Sequence, residues 1–354
     1  MAINFVDVLK EKRDQVWKEI ETYLPGRSDT AYQNDLLERY RDLDKFHWQL
    51  IKEYPERKGK YVRPALVLLS CEAMGGNPEK AMKTAAAMQT SEDWILIHDD
   101  WEDGSEERRN KPCLHRMYTP ELAINAGDTL HVIMWKILED NNKLVGPQKT
   151  FEIIDEFYKM LMRTTLGQTV EIKWTQDNRM DMSDDDVYFI LDGKTVYYTI
   201  AGPLRLGAIV AGATKQQLDE IFRLGVPLGR AFQIRDDLLN LIGDREKYGK
   251  EIGGDILEGK RTVMLVHLLR TSDAADKKRV MDVLNKPRVE KGAEEVGLVI
   301  DLMNKYGSID YGKKKAEEFA GQALAVFDKM NFYKPGTARD ALREGIKFMV
   351  TREK

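Results

Sequence analysis

Apolar residues recur along the chain at spacings of three and four, and strict alternation bounded by turn residues is hard to find; the pattern predicts helices and almost no strand. Helices are expected over 3–24, 31–54, 61–73, 78–102, 119–139, 147–174, 184–211, 215–242, 261–271, 274–286, 290–305, 308–330 and 338–351. Several starts are marked. Thr119-Pro120-Glu121 sets an N-cap before a proline at the first helical position, and Thr214 with Gln217, like Ser183 with Asp186, has the spacing of a capping box. Gly202-Pro203 falls inside the segment 184–211 and should kink or break it, because proline removes a backbone donor and crowds the preceding turn. The longest expected loop, 243–260, is rich in Gly, Lys and Asp, the kind of polar connection that carries function or motion. No repeat or low-complexity linker divides the chain. The expected fold is therefore all-α: one large single-domain helical bundle over 1–354 around a central cavity, with the C-terminal quarter added as further helices.

Composition narrows this picture only slightly. The 354 residues are 42% hydrophobic, ample for a sizeable core, and the net charge of −4 argues against binding nucleic acid through overall basicity. Cys71 and Cys113 are the two cysteines and have no metal-ligand spacing, so a disulfide framework is not expected. The N-terminus runs directly into a charged amphipathic pattern, and no apolar run approaches about 18 residues, so no transmembrane segment is expected and a cytoplasmic location is.

The chemistry is concentrated in two acidic stretches. Asp99 and Asp103, in Asp99-Asp100-Trp101-Glu102-Asp103, are four apart and lie within about 40° on one helical face, where their carboxylates can share a cation. Like charges at that spacing destabilise a bare helix, a cost that a bound divalent ion removes. A single such motif is equally a solvated helix end. The second stretch weakens that bland reading: Gln233, Asp236, Asp237 and Asn240 fall in an arc of about 100° on a helix that is otherwise apolar. Buried carboxylates need neutralising partners, and hard oxygen ligands without a His or Cys cluster suit Mg²⁺. Mg²⁺ held by a few carboxylates completes its shell with water and phosphate oxygens, so basic residues should lie nearby. Arg108-Arg109 follow the first motif, Lys60 and Arg63 sit in Gly59-Lys60-Tyr61-Val62-Arg63-Pro64, and Lys250 and Lys260 occupy the loop after the second.

With these residues the chain resembles the trans-isoprenyl diphosphate synthases, which include farnesyl and geranylgeranyl diphosphate synthases. The resemblance covers roughly residues 40–330. It runs in order through Gly59 to Pro64, the first aspartate motif with Arg108-Arg109 and Pro112, Ala126-Gly127-Asp128, Gly167-Gln168, Lys194-Thr195, Gly207-Ala208, Phe232 to Asp237, and Gly249-Lys250 through Asp255 to Gly259-Lys260. It implies that Asp99, Asp103 and Asp236 bind Mg²⁺ that chelates an allylic diphosphate, with Asp100 and Asp237 supporting. Arg108, Lys194, Thr195, Gln233, Lys250 and Lys260 would hold that diphosphate or help it leave. Lys60, Arg63 and Arg109 would hold isopentenyl diphosphate. The implied reaction ionises the allylic carbon–oxygen bond, joins the cation to the double bond of isopentenyl diphosphate and loses a proton. A homodimer is also implied.

Three positions depart from the family pattern. Asn240 stands where many members carry Asp, Tyr61 replaces a commonly basic residue, and Glu92, seven before Asp99, replaces a histidine or similar donor that contacts isopentenyl diphosphate. Product length in this family is set on the first-motif helix. Ile95 and Met88 fall about 40° and about 20° from the Asp99 line and should line a tunnel. Trp94 falls about 140° away, yet bulky aromatics at its position are associated with shorter products; an ordinary core tryptophan is the alternative. Aliphatic Ile95 favours a C20 over a C15 product. His98 reads as a packed histidine and Asp184-Asp185-Asp186 as a helix-start cap. A terpene cyclase would share the first motif but would not need a second basic site; a non-catalytic subunit of a heteromeric synthase would be expected to lose an acidic motif.

Overall fold

The computed structural model describes residues 3–24, 33–243 and 252–351. Helices begin where the sequence supplies a side-chain acceptor for the orphaned amides of the first turn. Thr119 caps Leu122, Thr214 caps Gln217, and Ser183 and Asp186 form a reciprocal box. The resulting order is α1 (Phe5–Glu21), α2 (Gln33–Arg57), α3 (Val62–Ala73), α4 (Met82–Glu102), α5 (Leu114–Met117), α6 (Pro120–Asp140), α7 (Asn142–Val145), α8 (Pro147–Gln176), α9 (Asp184–Leu191), a π-helical segment Asp192–Ala201, α10 (Gly202–Ala211) and α11 (Lys215–Ile242). Gly254–Glu258, Val263–Thr271, Ala274–Leu284, Ala293–Lys305, Ser308–Lys329 and Thr337–Thr351 complete the helices. The fold is all-α, as expected. Among the described residues the only strands are Glu107–Arg108 and Lys111–Pro112, paired antiparallel in a two-residue hairpin too short for a periodicity signal.

Helix α4 packs along α6, α10 on α3, and α11 on both the π-helical segment and Ser308–Lys329. This arrangement leaves α4, α8, the π-helical segment and α11 around one polar cavity of about 1070 Å³. Apolar side chains of α4, α6 and α8, including Met88, Leu130, Met134 and Phe157, fill the core beneath it.

Four boundaries differ from expectation. The segment 78–102 divides into a 3₁₀ turn, Pro78–Ala81, and α4. Helix α2 extends through Pro55 to Arg57 and is interrupted at Tyr40 (φ −117°, ψ 19°). The expected loop 243–260 holds the short helix Gly254–Glu258, bounded by the left-handed residues Gly253 and Gly259. The largest difference is over 184–211. The distortion precedes Gly202-Pro203 rather than following it: ten residues run in wide π turns, Gly202 donates to the Tyr197 carbonyl, and Pro203 takes a first-turn position in α10 where its missing N–H is not needed. Backbones of the π-helical segment and α8 touch directly. A Cβ on Gly167 would lie 2.6 Å from the amide nitrogen of Lys194, so only glycine allows this approach.

Candidate active site

Asp99, Glu102 and Asp103 line the cavity at the end of α4, whereas Asp100, one residue and about 100° round the helix, is fully buried behind them. Asp100 accepts from Tyr54 Oη at 2.6 Å and grips the Arg108 guanidinium through both Nε and Nη2. The adjacent aspartates thus have separate tasks: Asp99 presents a carboxylate, and Asp100 anchors a cation.

The hairpin explains how Arg108 and Arg109 reach the cavity together. A two-residue turn that matches the strand twist needs positive φ at both central positions, and Arg109 (φ 55°) and Asn110 (φ 60°) supply it. For a residue such as Arg109 this costs about 1 kcal/mol, and its side chain justifies the placement. Its Nη1 donates to the Tyr54 carbonyl and to Asp93 Oδ1, both at 3.0 Å. Arg63, from the first turn of α3, donates to Thr199 Oγ1 at 2.8 Å and lies over the Tyr198 ring. Lys60 lines the same mouth. Asp93 is fully buried, and burial pushes its carboxyl up to about 6 against the favourable pull of Arg109.

Across the cavity, Lys194 Nζ lies 2.6 Å from Glu171 and 3.1 Å from Asp99. Gln168 donates to Asp99 and Glu102. From α11, Gln233 and Asp236 face the cavity, while Asp237 is buried behind them. A directed chain runs from Thr195 Oγ1 to Gln233 Oε1 (2.9 Å) and from Gln233 Nε2 to Asp237 Oδ1 (2.9 Å), where Lys260 Nζ also donates at 3.0 Å. Asn240 has a structural task that a carboxylate would perform differently: its side-chain oxygen accepts from the Asp255 amide at 3.0 Å, fastening the short helix Gly254–Glu258. Lys250 lies outside the described residues.

Trp94 and Ile95 line the cavity, but Met88 is fully buried in the core beneath and does not. The wheel angle gave Met88 the correct face; its depth on α4 puts it two turns below Ile95, where neighbouring helices close over it. The Trp94 ring stacks obliquely on His131 of α6 and edge-on to His98. His98 Nε2 pairs with the Ile124 carbonyl at 3.2 Å, in space that a Cβ on Gly127 would fill.

A model of the polyprenyl synthetase family matches residues 45–302. The chain belongs to the polyprenyl synthetase family. Among its relatives is the short chain isoprenyl diphosphate synthase of Methanothermobacter thermautotrophicus, 30% identical over 83% of this chain and 87% of that protein. The geranylgeranyl diphosphate synthase of Sulfolobus acidocaldarius is 30% identical over 84% and 88% respectively. The crystal structure of geranylgeranyl pyrophosphate synthetase from Pyrococcus horikoshii Ot3 superposes with a TM-score of 0.83 at 29% identity, covering 99% of this chain and 98% of that one. This polyprenyl synthetase is accordingly a prenyltransferase.

Several residues of the synthetase site escaped the sequence reading. Glu171, Glu258 and Arg288 also line the cavity, and Asp93 and Tyr54 hold its arginines. Glu171 lies three residues beyond Gln168, a helical spacing that could have flagged it. Nothing local marks Tyr54 or Arg288.

The donor set fits magnesium. Burial and the neighbouring Asp99 raise the Asp103 carboxyl, while burial with Asp103 and Asp255 raises that of Glu258 well above the carboxylate range. Asp237 is raised by burial, and its Oδ2 has no hydrogen-bond partner. Nearby ammonium groups therefore leave negative charge uncompensated, and every donor is a hard oxygen. No three acidic or histidine side chains among the described residues are gathered closely enough to hold an ion alone. That suits ions whose shells are finished by water and substrate oxygens.

Proposed function

We propose that the chain is a magnesium-dependent, chain-elongating prenyl diphosphate synthase that joins isopentenyl diphosphate to an allylic prenyl diphosphate. The observation that carries this reading is that one cavity holds two facing acidic motifs and, beside them, a separate arginine cluster. A cyclase with one diphosphate to bind has no use for that second cluster.

Asp99 and Asp103 on one side and Asp236 on the other would hold the magnesium ions. Bound there, magnesium supplies Lewis-acid withdrawal of the negative charge that builds on the departing diphosphate. Lys194, Lys260 and Arg108 hold its oxygens, with Lys194 exchanging its contacts to Asp99 and Glu171 for the substrate. As the allylic C–O bond breaks, its electron pair leaves with the diphosphate. Gln233 and Thr195 present oxygen dipoles beside the allylic cation. Arg63, Arg109 and Lys60 hold isopentenyl diphosphate so that its double bond attacks that cation and forms the new C–C bond. The resulting cation then loses a proton to an oxygen of the departed diphosphate. Ile95 and Trp94 bound the tail's path, and an aliphatic Ile95 favours a C20 product. Chelation with EDTA should abolish incorporation of labelled isopentenyl diphosphate and excess Mg²⁺ should restore it. Undiminished incorporation under chelation would refute the metal-dependent reading.

A homodimer is proposed on the outer face of α6 and α8, where Val132, Phe151, Tyr158, Met162 and Leu166 are exposed, the last four along one side of α8. Sedimentation should give twice the chain mass; a monomer at micromolar concentration would contradict it. No helix among the described residues is long and apolar enough to cross a membrane.

A further inference from the structure

Glu92 lies on the cavity wall, between the two arginines assigned above to isopentenyl diphosphate. Its Oε2 is 3.2 Å from Arg63 Nη1 and its Oε1 is 3.6 Å from Arg109 Nη2. These are contacts of charge without aligned hydrogen bonds. Glu92 Oε2, Arg63 Nε and Arg109 Nη2 are all buried polar atoms with no hydrogen-bond partner. The contrast with Asp100 is informative: that carboxylate clasps Arg108 through two guanidinium nitrogens, the geometry of a residue that fixes an arginine in place. Neither Arg63 nor Arg109 needs Glu92 for that purpose. Asp93 and the Tyr54 carbonyl already hold Arg109, and Thr199 with the Tyr198 ring already holds Arg63.

What Glu92 adds is therefore a negative charge in the mouth of an anion site whose donors remain unsatisfied. Buried donors left without acceptors are costly, and a ligand rich in oxygen acceptors would satisfy them. A diphosphate entering there meets Arg63, Arg109 and Lys60, but it also meets a carboxylate that it must displace or repel. We propose that Glu92 is an internal anion that competes with isopentenyl diphosphate for the Arg63–Arg109 pair and so sets a low affinity for that substrate. This rests on the assignment of the arginine cluster to isopentenyl diphosphate.

The test is calorimetric titration of isopentenyl diphosphate, without divalent metal, into the wild-type chain and into Glu92→Gln and Glu92→Ala, with steady-state kinetics alongside. In the absence of metal the acidic motifs repel the ligand and the arginine cluster is read alone. Both variants should bind about ten-fold more tightly, by the size expected for one charge in a partly buried site. The KM for isopentenyl diphosphate should fall in parallel, while the KM for the allylic primer stays within two-fold. A structural role alone would not divide the two substrates in this way. Equal or weaker binding in whichever variants fold, with the wild-type chain still making product, would overturn the role of Glu92 and leave the prenyl synthase reading intact. No product and no binding by any of the three proteins would overturn both.

Discussion

Asp99→Ala is expected to lower kcat/KM by at least about a thousand-fold while leaving thermal stability close to that of the wild type. The carboxylate lies on the cavity surface, where it faces Lys194 at 3.1 Å and accepts from Gln168 at 3.2 Å. Its removal takes away one of the few oxygens available to a divalent ion on that wall. Stabilisation of a leaving diphosphate is made chiefly in the transition state, so the loss should appear in kcat as well as in kcat/KM; a factor of a thousand corresponds to about 4 kcal/mol. Stability should respond differently. Asp99 crowds Asp103 and raises its carboxyl, so deletion relieves a repulsion at the same time as it loses the contact with Lys194. A variant with a rate within ten-fold of wild type would remove Asp99 from the catalytic machinery.

Asp100→Ala, one residue on, should behave in the opposite order: an unstable protein first, and an impaired enzyme as a consequence. Asp100 is fully buried and is the partner of both the Arg108 guanidinium and the Tyr54 hydroxyl. Removing it leaves a nearly buried cation and a buried hydroxyl with no acceptor, a defect of about 3–5 kcal/mol. A fall in Tm of roughly 5–10 °C is expected, far beyond that of Asp99→Ala. Asp100→Asn retains an oxygen for Tyr54 but not the charge for Arg108, and should fall between. If Asp100→Ala melts with the wild type and loses only activity, the anchoring role is wrong and Asp100 belongs with the metal ligands.

How far the sequence carried can be judged at particular positions. The helices, the two acidic motifs and the basic residues around them were legible because each depends on spacing along a single helix or on neighbours in sequence. Asp99 and Asp236 share one cavity wall-to-wall, as two such stripes suggest, but the division of labour between Asp99 and Asp100 depends on Tyr54, far away in the chain. Met88 was placed on the correct face and at the wrong depth, since a helical wheel has no axial coordinate. The π-helical segment was hidden because its cause is tertiary: Gly167 of α8 admits the backbone at Lys194 more closely than any side chain would. Arg109 in a left-handed turn was likewise invisible, as turn propensity would favour Asn or Gly there. Glu92 stood out as an oddity in sequence, and only its distances to Arg63 and Arg109 give it a role.

The proposal that this cavity binds two diphosphates and joins their isoprenoids is tested most directly by incubating the protein with Mg²⁺, labelled isopentenyl diphosphate and separate C5, C10 and C15 allylic primers, and sizing the products. Label should enter a diphosphate ester extended by C5 units, with C20 as the principal end product. Release of diphosphate from the allylic primer with no label in any product would contradict chain elongation and point to a cyclase.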